Sequence, residues 1–85
     1  MSVPQKADIS RALLDFIKTS ILEKDIEITT HTSFDQLGID SLSIIELVLF
    51  IERKFRVVIP EDELVPTNLD CVESLATCTF KNLPT

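Results

Sequence analysis

The residues best placed to do chemistry are Asp40 and Ser41, an acid and a hydroxyl at the point where a broken polar stretch gives way to a strongly periodic one. Both residue types are favoured at helix starts for structural reasons, so the pair alone is no more than a cap. A helix N-terminus also carries unpaired amides and a partial positive charge, which favour a phosphate ester on the Ser41 hydroxyl. Nucleophilic catalysis by that hydroxyl would need a base. The single histidine, His31, lies in the preceding loop with no evident partner to orient it, so it reads as a solvent-facing residue and no catalytic residue is expected. Cys71 and Cys78 would lie roughly 10.5 Å apart on one helix, beyond the roughly 4.4–6.8 Å of a disulfide. With one histidine they supply neither a zinc site nor a Cys/His pair, and they read as two small helix residues of a reducing cytosol.

Four helical segments must position Ser41. Ile9, Leu13, Phe16, Ile17 and Ile21 recur at three- and four-residue steps and predict an amphipathic helix from about Pro4 to Leu22. Ser2 is its expected cap, with Asp8 as the alternative. A long loop follows from Glu23 to Asp40, rich in Thr and Ser around His31, with Ile28, Phe34 and Leu37 as its apolar anchors. Gly38, the chain's only glycine, predicts a tight turn two residues before the cap. The second helix runs from Asp40 to about Phe55 and is apolar on two faces. Leu47, Val48, Ile51 and Phe55 form a core stripe, whereas Leu42, Ile45 and Leu49 form a second stripe expected to be partly exposed beside Glu46 and Glu52.

Arg56 to Ile59 reads as an extended connection ending at Pro60. A short third helix is expected over Glu61 to Leu64, limited by Pro66. The last helix should start at Asp70, with Asp70 and Glu73 at capping-box spacing, and end near Lys81. The expectation is an all-α, four-helix bundle over residues 1–85, a single domain with no linker or repeat.

Composition narrows the function classes. At 85 residues and 45% apolar content the core is modest, since a domain this small buries only about 60–65% of its unfolded surface, leaving little room for an enclosed active site. Fourteen acidic against eight basic side chains give a net charge of -6, which disfavours nucleic acid and anionic membranes and favours basic protein partners. Met1 to Ser10 lacks the apolar stretch of a secretory signal, and the longest apolar run, Leu47 to Ile51, is far short of the ~20 residues that span a bilayer. A soluble, cytoplasmic monomer is expected.

The run Leu37-Gly38-Ile39-Asp40-Ser41-Leu42, followed by Ile45-Glu46-Leu47, Ile51-Glu52, Phe55 and Ile59-Pro60, resembles the acyl carrier protein family over most of the chain. The resemblance implies that Ser41 receives 4'-phosphopantetheine from a separate magnesium-dependent transferase. It further implies that Asp40 and Leu42 flank the transferase contact, and that Ile45, Glu46, Leu49 and Glu52 lie on the helix docked by partner enzymes with basic or apolar surfaces. The protein would then carry an acyl, polyketide or related group as a thioester and catalyse nothing itself. Arg53, Lys54 and Arg56 interrupt the strongly acidic surface of primary fatty acid carriers, either as a solvated patch favourable to the helix dipole or as a mark of different partners. A stand-alone aminoacyl carrier is the alternative within the class. Outside it stands a plain interaction module in which Ser41 only caps its helix.

Overall fold

Ile9, Leu13 and Ile17 recur at four-residue steps and all three are fully buried, so one narrow stripe fixes how the first helix lies on the rest of the chain. The computed structural model describes residues 3–21 and 27–84. Helix α1 spans Lys6–Phe16 and runs on through a π-helical turn, Ile17–Ile21. Helix α2 spans Ser41–Phe55, a single 3-10 turn covers Glu61–Glu63, and helix α3 spans Val72–Lys81. Among the described residues the protein is all-helical, with one isolated bridge between Ser33 and Cys71.

The expected start of α1 at Pro4 moves to Lys6, with Gln5 as the cap; Ser2 lies outside the described residues. The Gln5 amide donates to Asp8 Oδ2 at 2.8 Å, so Asp8 serves the cap from inside the first turn. The α-helical part ends at Phe16, short of Leu22, which also lies outside the described residues. The Thr19 hydroxyl donates to the Asp15 carbonyl at 2.8 Å, taking the acceptor that the Thr19 amide would use in an α-helix. Such competition accompanies a widened turn.

The expected third helix is where the four-helix count fails, leaving three α-helices, a π-helical turn and a 3-10 turn among the described residues. Pro60 initiates the segment and Pro66 blocks its extension, so only two i to i+3 bonds close it: Glu63 N to Pro60 O at 2.9 Å and Leu64 N to Glu61 O at 3.1 Å. Helix α3 starts two residues later than expected, because the chain at Asp70 and Cys71 is committed to the long loop. Phe34 N donates to Asp70 O at 2.8 Å, and Glu73 N donates to Thr30 O at 2.8 Å. The cap falls to Cys71, whose amide donates to Ser74 Oγ at 3.1 Å, and Glu73 pairs with Lys6 on α1. Neither Asp70 nor Glu73 makes the expected capping box.

Helix α1 packs chiefly on α3 and then on α2. Leu47, Ile51, Val72, Leu75 and Ala76 complete the core around the α1 stripe. The long loop is anchored as expected by buried Ile28 and Phe34 and half-buried Leu37, with Ile39 as a further anchor. Gly38 has φ 72, and a Cβ built there would meet nothing within 4 Å. Gly38→Ala therefore adds left-handed strain without a clash and should cost about 1 kcal/mol in urea unfolding. A much larger loss would mean that the turn tolerates no shift at all.

Candidate functional site

The Gly38 turn delivers the chain to Asp40, which is extended at φ -83 and ψ 174. The turn is closed by the Ile39 amide donating to the Phe34 carbonyl at 2.9 Å and the Gly38 amide donating to the Asp35 carbonyl at 3.1 Å. Asp40 Oδ1 accepts the Ser43 amide at 2.9 Å, so the expected cap is present. That bond, with the Ser43 hydroxyl second, holds the Asp40 carboxyl below its ordinary range. Ser41 is the first helical residue and is exposed. Its hydroxyl makes no hydrogen bond among the described residues, and His31 is exposed with Nδ1 3.2 Å from the Thr30 hydroxyl. Ser41 is thus presented to solvent beside a fixed negative charge and the positive end of a helix of 15 residues, with no base engaging it.

Helix α2 does show two apolar faces. Leu47 and Ile51 are fully buried and Val48 nearly so, whereas Leu42, Ile45 and Leu49 are 68, 54 and 45% exposed. Glu46 is exposed alongside them. Glu52 differs from the rest of the expected docking set. It is half-buried, and its Oε2 accepts the Ile59 amide at 2.9 Å, holding the connection that leaves the helix. That connection turns through Arg56, a left-handed cap at φ 53 whose amide donates to the Glu52 carbonyl. Arg53 and Lys54 are exposed in the last turn, where cations suit the helix dipole. They border a smaller hollow of about 440 Å³ beside the Phe16 and Phe50 rings, which stack at 4.3 Å.

A groove of about 860 Å³ opens from Ser41 along α2. One wall is formed by Ile44, Ile45 and Val48, with Phe34 and Ile39 from the long loop at its base. The opposite wall is Leu64, Pro66 and Leu69, from the segment after the 3-10 turn. Sequence reasoning missed this wall, because Leu64, Pro66 and Leu69 follow neither a helical nor a strand period. The groove is lined mainly by apolar side chains, with Asp35, Asp40, Ser41, Glu52 and Asp70 as its polar members. An exposed hydroxyl at a helix start, with an apolar channel beginning beside it, fits a phosphodiester-linked arm whose far end bears an apolar group.

Residues 11–79 match the protein family described as the phosphopantetheine attachment site. The chain is 31% identical over 64 residues to acyl carrier protein 4, chloroplastic, of Arabidopsis thaliana, a stretch that covers 74% of this chain and 47% of that protein. It is 30% identical over 63 residues to acyl carrier protein 2, chloroplastic, of Spinacia oleracea, covering 73% of this chain and 48% of that protein. The chain thus spans about half the length of these curated relatives. No solved structure gives a significant match. No helix of the described residues is long and apolar enough to cross a membrane.

Proposed function

The chain belongs to the acyl carrier protein family, the phosphopantetheine-dependent carriers, and from that premise we propose that Ser41 is the attachment point of the arm and that residues 1–85 act as one carrier domain. The family's prosthetic group is covalent 4'-phosphopantetheine, which supplies a terminal thiol able to hold an acyl-type group as a thioester. The observation that carries the reading is the exposed Ser41 hydroxyl at the head of α2, with the apolar groove beginning beside it. The chain's own residues do three things in this proposal. Asp40 fixes the helix start, so that the Ser41 hydroxyl faces solvent in a defined direction. The groove shelters an apolar cargo from water, and the exposed stripe of α2 receives partner proteins.

A hydroxyl without a base calls for a separate phosphopantetheinyl transferase to drive the attachment. Loading and processing enzymes would then dock with basic or apolar surfaces against Asp40, Leu42, Ile45, Glu46 and Leu49, with Glu52 at the edge. The charge of -6 suits fast, weakly held encounters of this kind. Two unpaired thiols, Cys71 and Cys78, support a reducing, cytoplasmic setting. Cargo of fatty acyl, polyketide or aminoacyl type is compatible with the arm, and the apolar groove favours the first two.

The test is intact-mass measurement after incubation with a phosphopantetheinyl transferase, coenzyme A and magnesium. One phosphopantetheine increment is expected, and a chain left unmodified by several transferases would overturn the proposal. For docking, Ile45→Asp should leave helicity and stability within about 0.5 kcal/mol of the parent, since the side chain is half exposed. It should lower turnover by an acyl-loading enzyme about tenfold, the effect of losing one central apolar contact. Loss of circular dichroism signal would assign Ile45 to the core instead.

A further inference from the structure

The far wall of the groove, Leu64 to Leu69, belongs to no helix, yet its position decides how much space lies opposite α2. Leu64 and Leu69 pack against the core, and among the side-chain bonds that hold the start of this wall Glu63 makes the most. Glu63 Oε1 accepts Asn82 Nδ2 at 3.0 Å and Lys81 Nζ at 3.1 Å, and the Cys78 thiol donates to it at 3.5 Å. Asn82 is itself fixed, since Nδ2 also donates to the Cys78 carbonyl at 2.8 Å. On the other side of Glu63, its backbone carbonyl accepts Asn68 Nδ2 at 2.7 Å, which folds the wall back on its own start. At the upstream end the Glu52 carboxylate holds the Ile59 amide to α2.

The wall is therefore tied upstream at Ile59 to one side of the groove and at Glu63 to the C-terminal turn of α3, and just beyond Leu69 the Asp70 carbonyl is held by the Phe34 amide. Helix α3 is immobilised against the core by Val72, Leu75 and Ala76. Of the three bonds to Glu63, the lysine pair is largely exposed and screened, so the half-covered asparagine bond dominates. The asparagine bond is also the leading reason that Glu63 ionises more readily than an ordinary glutamate.

We propose that Glu63, through Asn82, fixes the position of this wall and so sets the length of apolar cargo that the groove accepts. The inference rests on the reading of the groove as the cargo shelter. Breaking the tether leaves Leu64 and Leu69 held by their packing on the core and by the Asp70 bond beyond them, so the Leu64 end of the wall can shift away from α2 and longer chains then fit. Glu63→Gln keeps an acceptor for Asn82 and should behave as the parent. Glu63→Ala and Asn82→Ala should both release the wall.

Three measurements on the same proteins test this. In the apo-protein, amide hydrogen exchange over residues 64–69 should rise about tenfold in Glu63→Ala and Asn82→Ala, with amides of α1 and α2 within about threefold of the parent. Binding of the neutral dye N-phenyl-1-naphthylamine to the apo-protein should tighten about threefold. In the loaded protein, cleavage by hydroxylamine of octanoyl, dodecanoyl and hexadecanoyl thioesters should show protection extending to longer chains in those variants. If the parent binds no dye and protects no chain length, the shelter reading falls and the tether falls with it. If the parent protects its cargo but Glu63→Ala and Asn82→Ala keep its length profile and wall exchange, the tether alone is overturned. A uniform rise in exchange across the molecule would likewise overturn it, assigning Glu63 to global stability. Should Glu63→Ala not fold, Asn82→Ala against Glu63→Gln decides the matter by the same readouts.

Discussion

Ser41→Ala yields a fully helical protein that takes up no phosphopantetheine, so that its mass after treatment with a transferase and coenzyme A equals that of the untreated chain. The expectation combines two observations that pull in the same direction. The Ser41 side chain is exposed and its hydroxyl bonds to nothing among the described residues, so removing the oxygen breaks no internal contact. The capping bond that starts α2 belongs to Asp40 and the Ser43 amide, and it survives the change. Alanine is a good helix former at a first-turn position, so stability should stay within about 0.5 kcal/mol of the parent. Loss of modification is then not a by-product of unfolding, and circular dichroism together with a urea titration checks this on the same sample. Retention of the increment would move the arm to another hydroxyl. Ser43, two residues further on, is half-buried and donates its amide to Asp40, which makes it a poor substitute.

The parts of the molecule that local periodicity dictates were legible in the sequence. The two-faced pattern of α2, its Asp40 cap and the Gly38 turn follow from spacing and from one residue's backbone freedom, and they account for the presentation of Ser41. The misread parts are those in which a distant contact overrides a local preference. Asp70 and Glu73 have ideal spacing for a capping box. Yet the Asp70 carbonyl is taken by Phe34 and the Glu73 amide by Thr30, so the helix starts later. Nothing within the last helix announces those partners. The spacing sets Glu52 beside the exposed stripe of α2 but carries no sign of what its carboxylate holds. That carboxylate turns to the Ile59 amide, a demand created by the sharp exit at Arg56. The second wall of the groove was missed for a similar reason. Leu64, Pro66 and Leu69 have no helical or strand period, and their apolar character acquires a purpose only when α2 lies opposite.

Phe34→Ala is expected to be the most destabilising single substitution outside the helices, lowering unfolding free energy by about 3–4 kcal/mol. Phe34 sits in a loop, where a large loss would not ordinarily be sought, yet it is only 1% exposed and packs into the common core. Its backbone is doubly engaged as well: the amide donates to Asp70 and the carbonyl accepts from Leu37 and Ile39. Truncation to alanine removes the transfer free energy of the ring and leaves a void, and these contributions add. One edge of the site borders the groove beside Ile39 and Ser41, so part of the void is continuous with solvent and can be filled from that side. The expected value therefore lies in the lower half of the range of about 3–5 kcal/mol seen for buried aromatic residues. Against a total of about 4–13 kcal/mol for a chain of this length, such a loss brings the variant close to the limit of folding. Urea unfolding should show a lower midpoint with an unchanged slope, because the folded and unfolded surfaces differ by nearly the same area in both proteins. A loss below about 1 kcal/mol would mean that the long loop rests on the bundle without belonging to its core, and the precise delivery of Asp40 and Ser41 would then have to come from Gly38 and Ile39 alone.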